Sequence, residues 1–442
     1  MFKTFRNALK IKDIRRKLLY TFVALIIIRL GSILPVPGIN RAYFEFWVGS
    51  QTALGFFDTL TGGSFTQMSI FALSITPYIT SSIIMQLLTI AIPKLEEMQK
   101  EGEDGKKKIQ EYTRYVTVGL AVIESFAMAI GFGSSGLLEG GGTFANVAVI
   151  VASFSAGSAF LMWLGEKITE KGVGNGISII LLINIVAGMP RDFVNLYKQF
   201  IAGAPTVVNA IIAAVIIVAV IVAMVLFIIV LQDAERKIPV QYAKKVQGRK
   251  MIGGQSSHIP LKVNTAGVIP VIFASSFMQF PIVVASFFGV EPARAHVLPK
   301  ILYLLNQSKW FNISSWGEFK YTLGALIYIA LLVFFAYFYT SITFNPIEIA
   351  NNMKKQGGFI PGIRPGKPTT EYLTKVLNNI IFIGAVGLTI VAIVPLIFLG
   401  AFGAYVTFGG TSLIIVVGVV LETMKQIESQ MLVRHYKGFL ND

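Results

Sequence analysis

The sequence has no cysteine and only three histidines, His258, His296 and His435, set far apart. The first absence excludes disulfide frameworks and thiolate metal sites. The second leaves no ligand spacing, so no metal is expected. Charge is scarce as well. Only 14% of the residues are charged, against about 25% in a soluble globular chain. One large core does not explain that deficit, whereas many lipid-facing segments do. Within the apolar segments, Arg29, Glu124 and Glu422 are nearly the whole set of ionisable groups. An ion- or proton-coupled carrier usually shows paired charges near the midplane. A glycine-rich phosphate loop after a strand is missing, and so is a Ser/His/Asp set. No catalytic chemistry or cofactor is assigned for want of those motifs.

What is present is apolar and long. Hydrophobic residues make up 54% of the 442. Ala210 to Leu231 (AIIAAVIIVAVIVAMVLFIIVL) is 22 residues without a polar side chain, and about 20 such residues span a bilayer core. Ten spans are expected, near 18–34, 71–92, 115–133, 145–164, 174–189, 208–231, 266–289, 320–344, 377–400 and 410–424. The first follows a cationic stretch, as a secretory signal does. It leads into Pro35-Val36-Pro37-Gly38 with no small-residue cleavage site, so it is read as a retained helix. Of the 38 Lys and Arg residues, 30 fall in one alternating set of segments, 7 in the other, and Arg29 lies within the first span. That bias places both termini in the cytoplasm. Ten spans divide into five and five, 1–205 and 206–442. An odd count per half starts the second half from the opposite side, which is the arithmetic of an inverted repeat.

Four stretches could carry function. Phe56 to Ser82 (FFDTLTGGSFTQMSIFALSITPYITSS) is external, broken at Gly62-Gly63, too polar for lipid and too apolar for a free loop. It fits either a short re-entrant helix enclosed by protein or an external loop with a frayed helix. Ile79 and Ile83 are four apart and share a helix face, as do Leu181 and Ile185. Taken alone, such pairs read as packing. GVGNG, at 172–176, is a glycine turn leading into a span. The cytoplasmic segments 232–265 and 345–376 are long and cationic. Topology accounts for their sign. It does not account for the Gly/Pro-rich GGFIPGIRPGKPT at 357–369. That stretch is neither helical nor a good strand, and its stiffness lowers the entropy lost on docking a partner.

Six strings carry a resemblance: ITPYITSSIIMQLLT (75–89), EYTRY (111–115), EKGVGNGISII (170–180), QGRK with SSHIPLKVNTAGVIPVIFASS (247–276), NPIEIANNMKKQGGFIPGIRPGKPT (345–369) and FGGTSLIIVVGV (408–419). With these at matched spacing over the whole length, the sequence resembles the SecY family, the central subunits of protein-conducting channels. The resemblance implies an all-α polytopic membrane protein. Its ten helices would form two inverted five-helix halves around an hourglass pore, with a re-entrant plug helix. The plug matches about 57–69, with Phe57, Thr61, Gly62, Gly63, Ser64 and Phe65. The pore ring matches Ile79, Ile83, Leu181, Ile185, Ile272 and Ile415, where Leu181 replaces an expected isoleucine. A lateral gate would lie between spans 2 and 3 and spans 7 and 8, with Thr80, Glu124, Ser275, Ser276 and Phe280. Docking of a SecA motor ATPase or a ribosome would use Arg236, Lys244, Lys245, Arg249, Lys250, Lys354, Lys355, Arg364 and Lys367. SecE-like and SecG-like subunits, secretory precursors with their signal peptides, and lipid are the other implied partners. No enzyme activity is implied. A small-solute transporter or a membrane enzyme remains the competing reading of the bare pattern.

Overall fold

The computed structural model describes residues 2–39, 44, 58, 61–134, 138, 143–204, 206–242, 245–247, 250–252, 256–287, 297–307, 310–311, 322–402 and 410–438. Fourteen helices run through these residues. They are α1 (Phe2–Lys10), α2 (Lys12–Gly31), α3 (Thr76–Ala91), α4 (Pro93–Lys100), α5 (Glu103–Ser134), α6 (Phe144–Lys171), α7 (Gly176–Leu196), α8 (Val207–Asp233), α9 (Ile269–Phe287), α10 (Val297–Leu305), α11 (Leu323–Thr343), α12 (Pro346–Lys355), α13 (Lys367–Phe402) and α14 (Gly410–Gly438). Each of the ten expected spans coincides with one of them. Among the described residues, six helices are long and apolar enough to cross a membrane by themselves, namely α5, α6, α7 with its π-helical extension, α8, α11 with α12, and α13. The pair α3–α4 also qualifies when taken together, although it bends by 100° at Ile92.

Local chemistry sets the helix ends. Asn175 caps α7 by accepting from the Ile177 and Ser178 amides at 3.1 and 3.3 Å. Asn345 caps α12 in the same way, and Pro346 follows it at the first helical position, where its missing donor costs nothing. Pro190, Pro281 and Pro395 lie inside α7, α9 and α13. A membrane helix tolerates them when neighbours satisfy the freed carbonyls. α8 exposes most of its length to lipid and buries only Met224, Ile228 and Leu231, which explains its unbroken apolar run.

Packing follows two groups with a shared member. The first group has α3 on α5, α5 on α6, and α6 on α2 and α7. The second has α9 on α11, α11 on α13, and α8 on α13 and α14. α14 also packs on α7 and α1, and α5 touches α9.

Three expectations change. The span expected from residue 71 becomes helical only at Thr76. Residues 62–68 and 70–75 run as turns, with Met68 and Ser74 at positive φ (47° and 51°). The expected plug helix at 57–69 is therefore mostly not helix among the described residues. Asp58 and Thr61 are helical, and Gly62 and Gly63 then take positive φ and end it. Phe57 lies outside the described residues.

The third change is a sheet in a chain expected to be all-α. β1 (Glu235–Tyr242) pairs antiparallel with β4 (Ser256–Lys262) and with β5 (Gly358–Phe359), and a separate hairpin joins β2 (Lys245–Gln247) to β3 (Lys250–Ile252). The two cationic segments are thus one body. The sheet order is β4–β1–β5. Inward-facing Ile238 and Val240 join Leu261, Met353, Ile360, Leu373 and Val376 in a separate core.

Candidate functional site

An apolar knot forms where α3, α7, α9 and α14 meet, with α2 and α6 packed into the same cluster. Leu181, Ile185 and Ile415 are buried in one contiguous cluster, with Ile79 and Ile272 packed against it. Five of the six ring candidates therefore share a cluster. Ile83 is the exception. It packs against a different core, built by α8, α9, α11, α13 and α14. One turn along α3 thus carries the chain from one cluster to the next, so the i,i+4 pair is more than local packing.

Against this knot lies the irregular segment 58–75. Gly62 approaches the α7 backbone so closely that a Cβ there would sit 2.7 Å from the Asn184 Cα and carbonyl oxygen. Asn184 immediately precedes Ile185. Phe65 is buried among Phe44, Met128, Phe132 and Phe154, edge-on to Phe44 at 5.5 Å. Ser64 is buried. On its other side the segment is tied to the end of the first span. The Val36 amide donates to the Met68 carbonyl and the Ile70 amide to the Leu34 carbonyl, both at 2.9 Å.

The expected gate positions are less uniform. The Ser275 and Tyr328 hydroxyls are 3.2 Å apart and buried, joining α9 to α11. The Ser81 and Thr117 hydroxyls, 2.9 Å apart, join α3 to α5, a pair the sequence did not single out. Thr80 spends its hydroxyl on the Thr76 carbonyl at 3.1 Å, within its own helix. Ser276 and Glu124 are half-buried. Glu124 makes no hydrogen bond or ion pair among the described residues. Phe280 departs from expectation. Its ring is 64% exposed, so it faces outward and does not pack in the seam.

In the sheet-bearing body, Arg236, Lys354, Lys355, Arg364 and Lys367 are all exposed. Gly357, Gly362 and Gly366 take positive φ on either side of Arg364. Thr369 Oγ1 donates to the Arg364 carbonyl at 2.8 Å and closes the loop. Lys245 and Lys250 stand in the β2–β3 hairpin, while Lys244 and Arg249 lie outside the described residues.

The family model for SecY matches residues 69–424. Proteins described as protein translocase subunit SecY, from Halalkalibacterium halodurans and Bacillus subtilis, are 45% and 42% identical, with 100% of both chains covered in each case. The chain belongs to the SecY family. Solved structures agree in fold. A chain described as "The structure of a protein conducting channel" matches with a TM-score of 0.66 at 20% identity, over 95% of this chain and 93% of that one. One described as "The plug domain of the SecY protein stablizes the closed state of the translocation channel and maintains a membrane seal" matches at 0.63 and 20%, with the same coverage. One described as "Sec61 in the Canine ribosome-channel complex from the endoplasmic reticulum" matches at 0.62 and 19%, again over 95% and 93%.

Two features of this SecY chain escaped sequence reading. The first is the polar contact set of Arg29, Asp58 and Arg191 around the turn segment. A single Asp in an external stretch and two isolated Arg residues carry no spacing signal. The second is the glycine turn at 172–176, which proves to be a junction. The Gly174 amide donates to Gln426 Oε1 of α14 at 2.5 Å, and the Val173 amide to Thr21 Oγ1 of α2 at 3.1 Å. Gly174 sits at φ +82°, and a Cβ would meet Thr423 Oγ1 at 2.8 Å.

Proposed function

We propose that this chain forms the protein-conducting channel of a translocase in a bacterial plasma membrane, with both termini cytoplasmic. Unfolded secretory chains pass through it, and apolar segments leave sideways into lipid. The observation that carries this reading is the charge-free knot of Ile79, Leu181, Ile185, Ile272 and Ile415 with a turn segment pressed against it. A pore for unfolded polypeptide must admit every side chain and still hold back ions. A ring of fixed charges would bind some segments too tightly. A deformable apolar ring seals by dewetting and by closing around whatever occupies it. In this reading residues 58–69 are the plug that fills the ring at rest, and a solved relative is described as having a plug domain that stabilises the closed state and maintains a membrane seal.

Residues 1–205 and 206–442 form the two halves, and the seam between them is the α5–α9 contact, with α3 and α11 beside it. An apolar segment at an open seam is drawn out by roughly 25 cal/mol per Å² of apolar surface removed from water. Passage makes and breaks no covalent bond, so the chain is no enzyme and needs an external source of work. The exposed cations around Arg364 offer the docking face for a SecA motor or a ribosome. One structural relative is itself described as a ribosome–channel complex. SecE-like and SecG-like subunits complete the assembly.

The test is reconstitution. Vesicles holding this chain, its small copurifying subunit and a motor ATPase should import an unfolded precursor when ATP is supplied. Movement of small solutes alone would overturn the reading. Arg364→Glu should abolish import while leaving the chain inserted and folded. Unimpaired import by that variant would remove the docking assignment.

A further inference from the structure

The two arginines outside any expected role, Arg29 of α2 and Arg191 of α7, converge on the same short segment. Arg191 Nη2 lies 3.1 Å from Asp58 Oδ2. The other Asp58 oxygen accepts the Thr66 amide at 2.9 Å. The Asp58 carbonyl accepts the Gly63 amide at 3.0 Å and the Thr61 hydroxyl at 3.1 Å. The Asp58 carbonyl and one carboxylate oxygen thus tie Thr61, Gly63 and Thr66 back to Asp58, and the second carboxylate oxygen meets Arg191 of α7. Arg29 Nη1, from α2, donates to the Gly62 carbonyl at 3.3 Å. Gly62 is the residue that touches the α7 backbone beside Ile185.

We infer that Arg29 and Arg191 are the latch that holds the 58–66 turn in place against the apolar ring, with Asp58 as the catch. The inference rests on the plug reading and goes beyond it by naming what seats the plug.

Two features show why a latch is needed. Ser64 Oγ and Gln67 Oε1 are buried without a hydrogen-bond partner among the described residues, and burying an unsatisfied polar atom costs free energy. Met68 and Ser74 hold positive φ without being glycine, which adds strain. A segment burdened in this way leaves its site readily unless something tips the balance back. The arginines supply that increment at the segment's edge, where they can be released. The Asp58 side chain is 5% exposed while that of Arg191 is 53% exposed. A half-solvated pair contributes modestly, up to about 1 kcal/mol, which is roughly a fivefold shift in a two-state equilibrium. That size suits a plug that must stay put at rest and yield to an arriving chain. Arg29 and Arg191 are thus positioning residues. They touch the plug and leave the path itself free of charge.

The natural chain lacks cysteine, so Ser64→Cys supplies a single reporter on the segment. The full chain with its copurifying subunits is placed in vesicles, and a membrane-impermeant maleimide is added outside. Arg191→Ala and Arg29→Ala should each raise the labelling rate, by about fivefold for Arg191, and should raise the resting conductance of the same preparation in planar bilayers. Arg191→Lys should return labelling most of the way to the parent rate, which loss of mere packing would not do. Asp58→Asn keeps the shape and the acceptor for Thr66 while removing the charge, so it carries the test if the alanine variants fold poorly. It should label like Arg191→Ala. Parental labelling in all of these variants overturns the latch. Deleting residues 61–66 separates the two ideas. If deletion leaves resting conductance unchanged, the plug reading itself fails. If deletion raises conductance while the arginine variants stay parental, the latch alone fails.

Discussion

Ile185 and Ile83 come from the same kind of i,i+4 pair, yet their surroundings give them different roles. Ile185 is 2% exposed, inside the α3–α7–α9–α14 cluster and next to the residue that Gly62 touches. Ile83 is half-buried and leans on the second core. Ile185→Ser removes a buried aliphatic side chain and leaves a hydroxyl in its place. The expected loss is about 2–4 kcal/mol of stability, by cavity and polar burial together. Because the hydroxyl would wet the ring, resting ion conductance should rise as well. Ile83→Ser should cost about 1 kcal/mol and act mainly by loosening the contact of α3 with the second core. Conductance recordings paired with thermal unfolding of the purified chain separate the two. Equal leak at equal stability would contradict the difference in surroundings. Much at this scale was legible in sequence, since apolar bulk at helical spacing marks a face. What that face meets was not legible, because partner clusters are set by helices a hundred or more residues away. Phe280 shows the same limit, since its ring turned outward although its helix was placed correctly.

The sheet-bearing body makes the contrast sharper for whole elements. The long apolar helices could be read from run length because lipid demands about 20 apolar residues per crossing. The sheet could not. β1 carries Pro239 and β4 carries Pro260, and a proline within a run argues against a strand. Yet the alternation of Ile238, Val240 and Tyr242 was present. It failed to register among six Lys and Arg residues at 236–250. β5 has only two residues and exists because β1 offers it an edge. The consequence is that the two docking segments fold as a unit around Ile238, Val240, Leu261 and Ile360. Val240→Asp should bury an unpaired carboxylate there at a cost of about 3 kcal/mol or more. Motor-driven import should then fall as it does for Arg364→Glu, although no docking cation is touched. Limited proteolysis should find new cleavage in both 232–265 and 345–376, with the membrane helices intact. Cleavage confined to the segment that carries the substitution would show that the two are independent.

For the whole molecule, the proposed motion of two halves needs one boundary that opens and one that holds. Among the described residues the α5–α9 contact is smaller than the α7–α14 contact, and beside it α3 reaches the second core through Ile83. The opposite side is knitted by polar contacts from α14. Gln426 takes the Gly174 amide and Lys17 Nζ donates to Gln430 Oε1 at 3.3 Å, while Lys425 pairs with Asp233 at the end of α8 within the second half. Ala8, Ile14, Val173 and Ile427 form a small core beneath them. Packed interfaces of this kind are bistable and do not yield by degrees, so motion concentrates where contacts are fewest. In that proposed motion α14 would be the hinge side and α5–α9 the opening. Lys17→Cys with Gln430→Cys, joined by a short bismaleimide in the otherwise cysteine-free chain, should leave ATP-driven import near the parental rate, because those residues keep their spacing throughout the cycle. Import blocked by that cross-link and restored when the linker is cleaved would move the working boundary to α14 and make α5–α9 the fixed side.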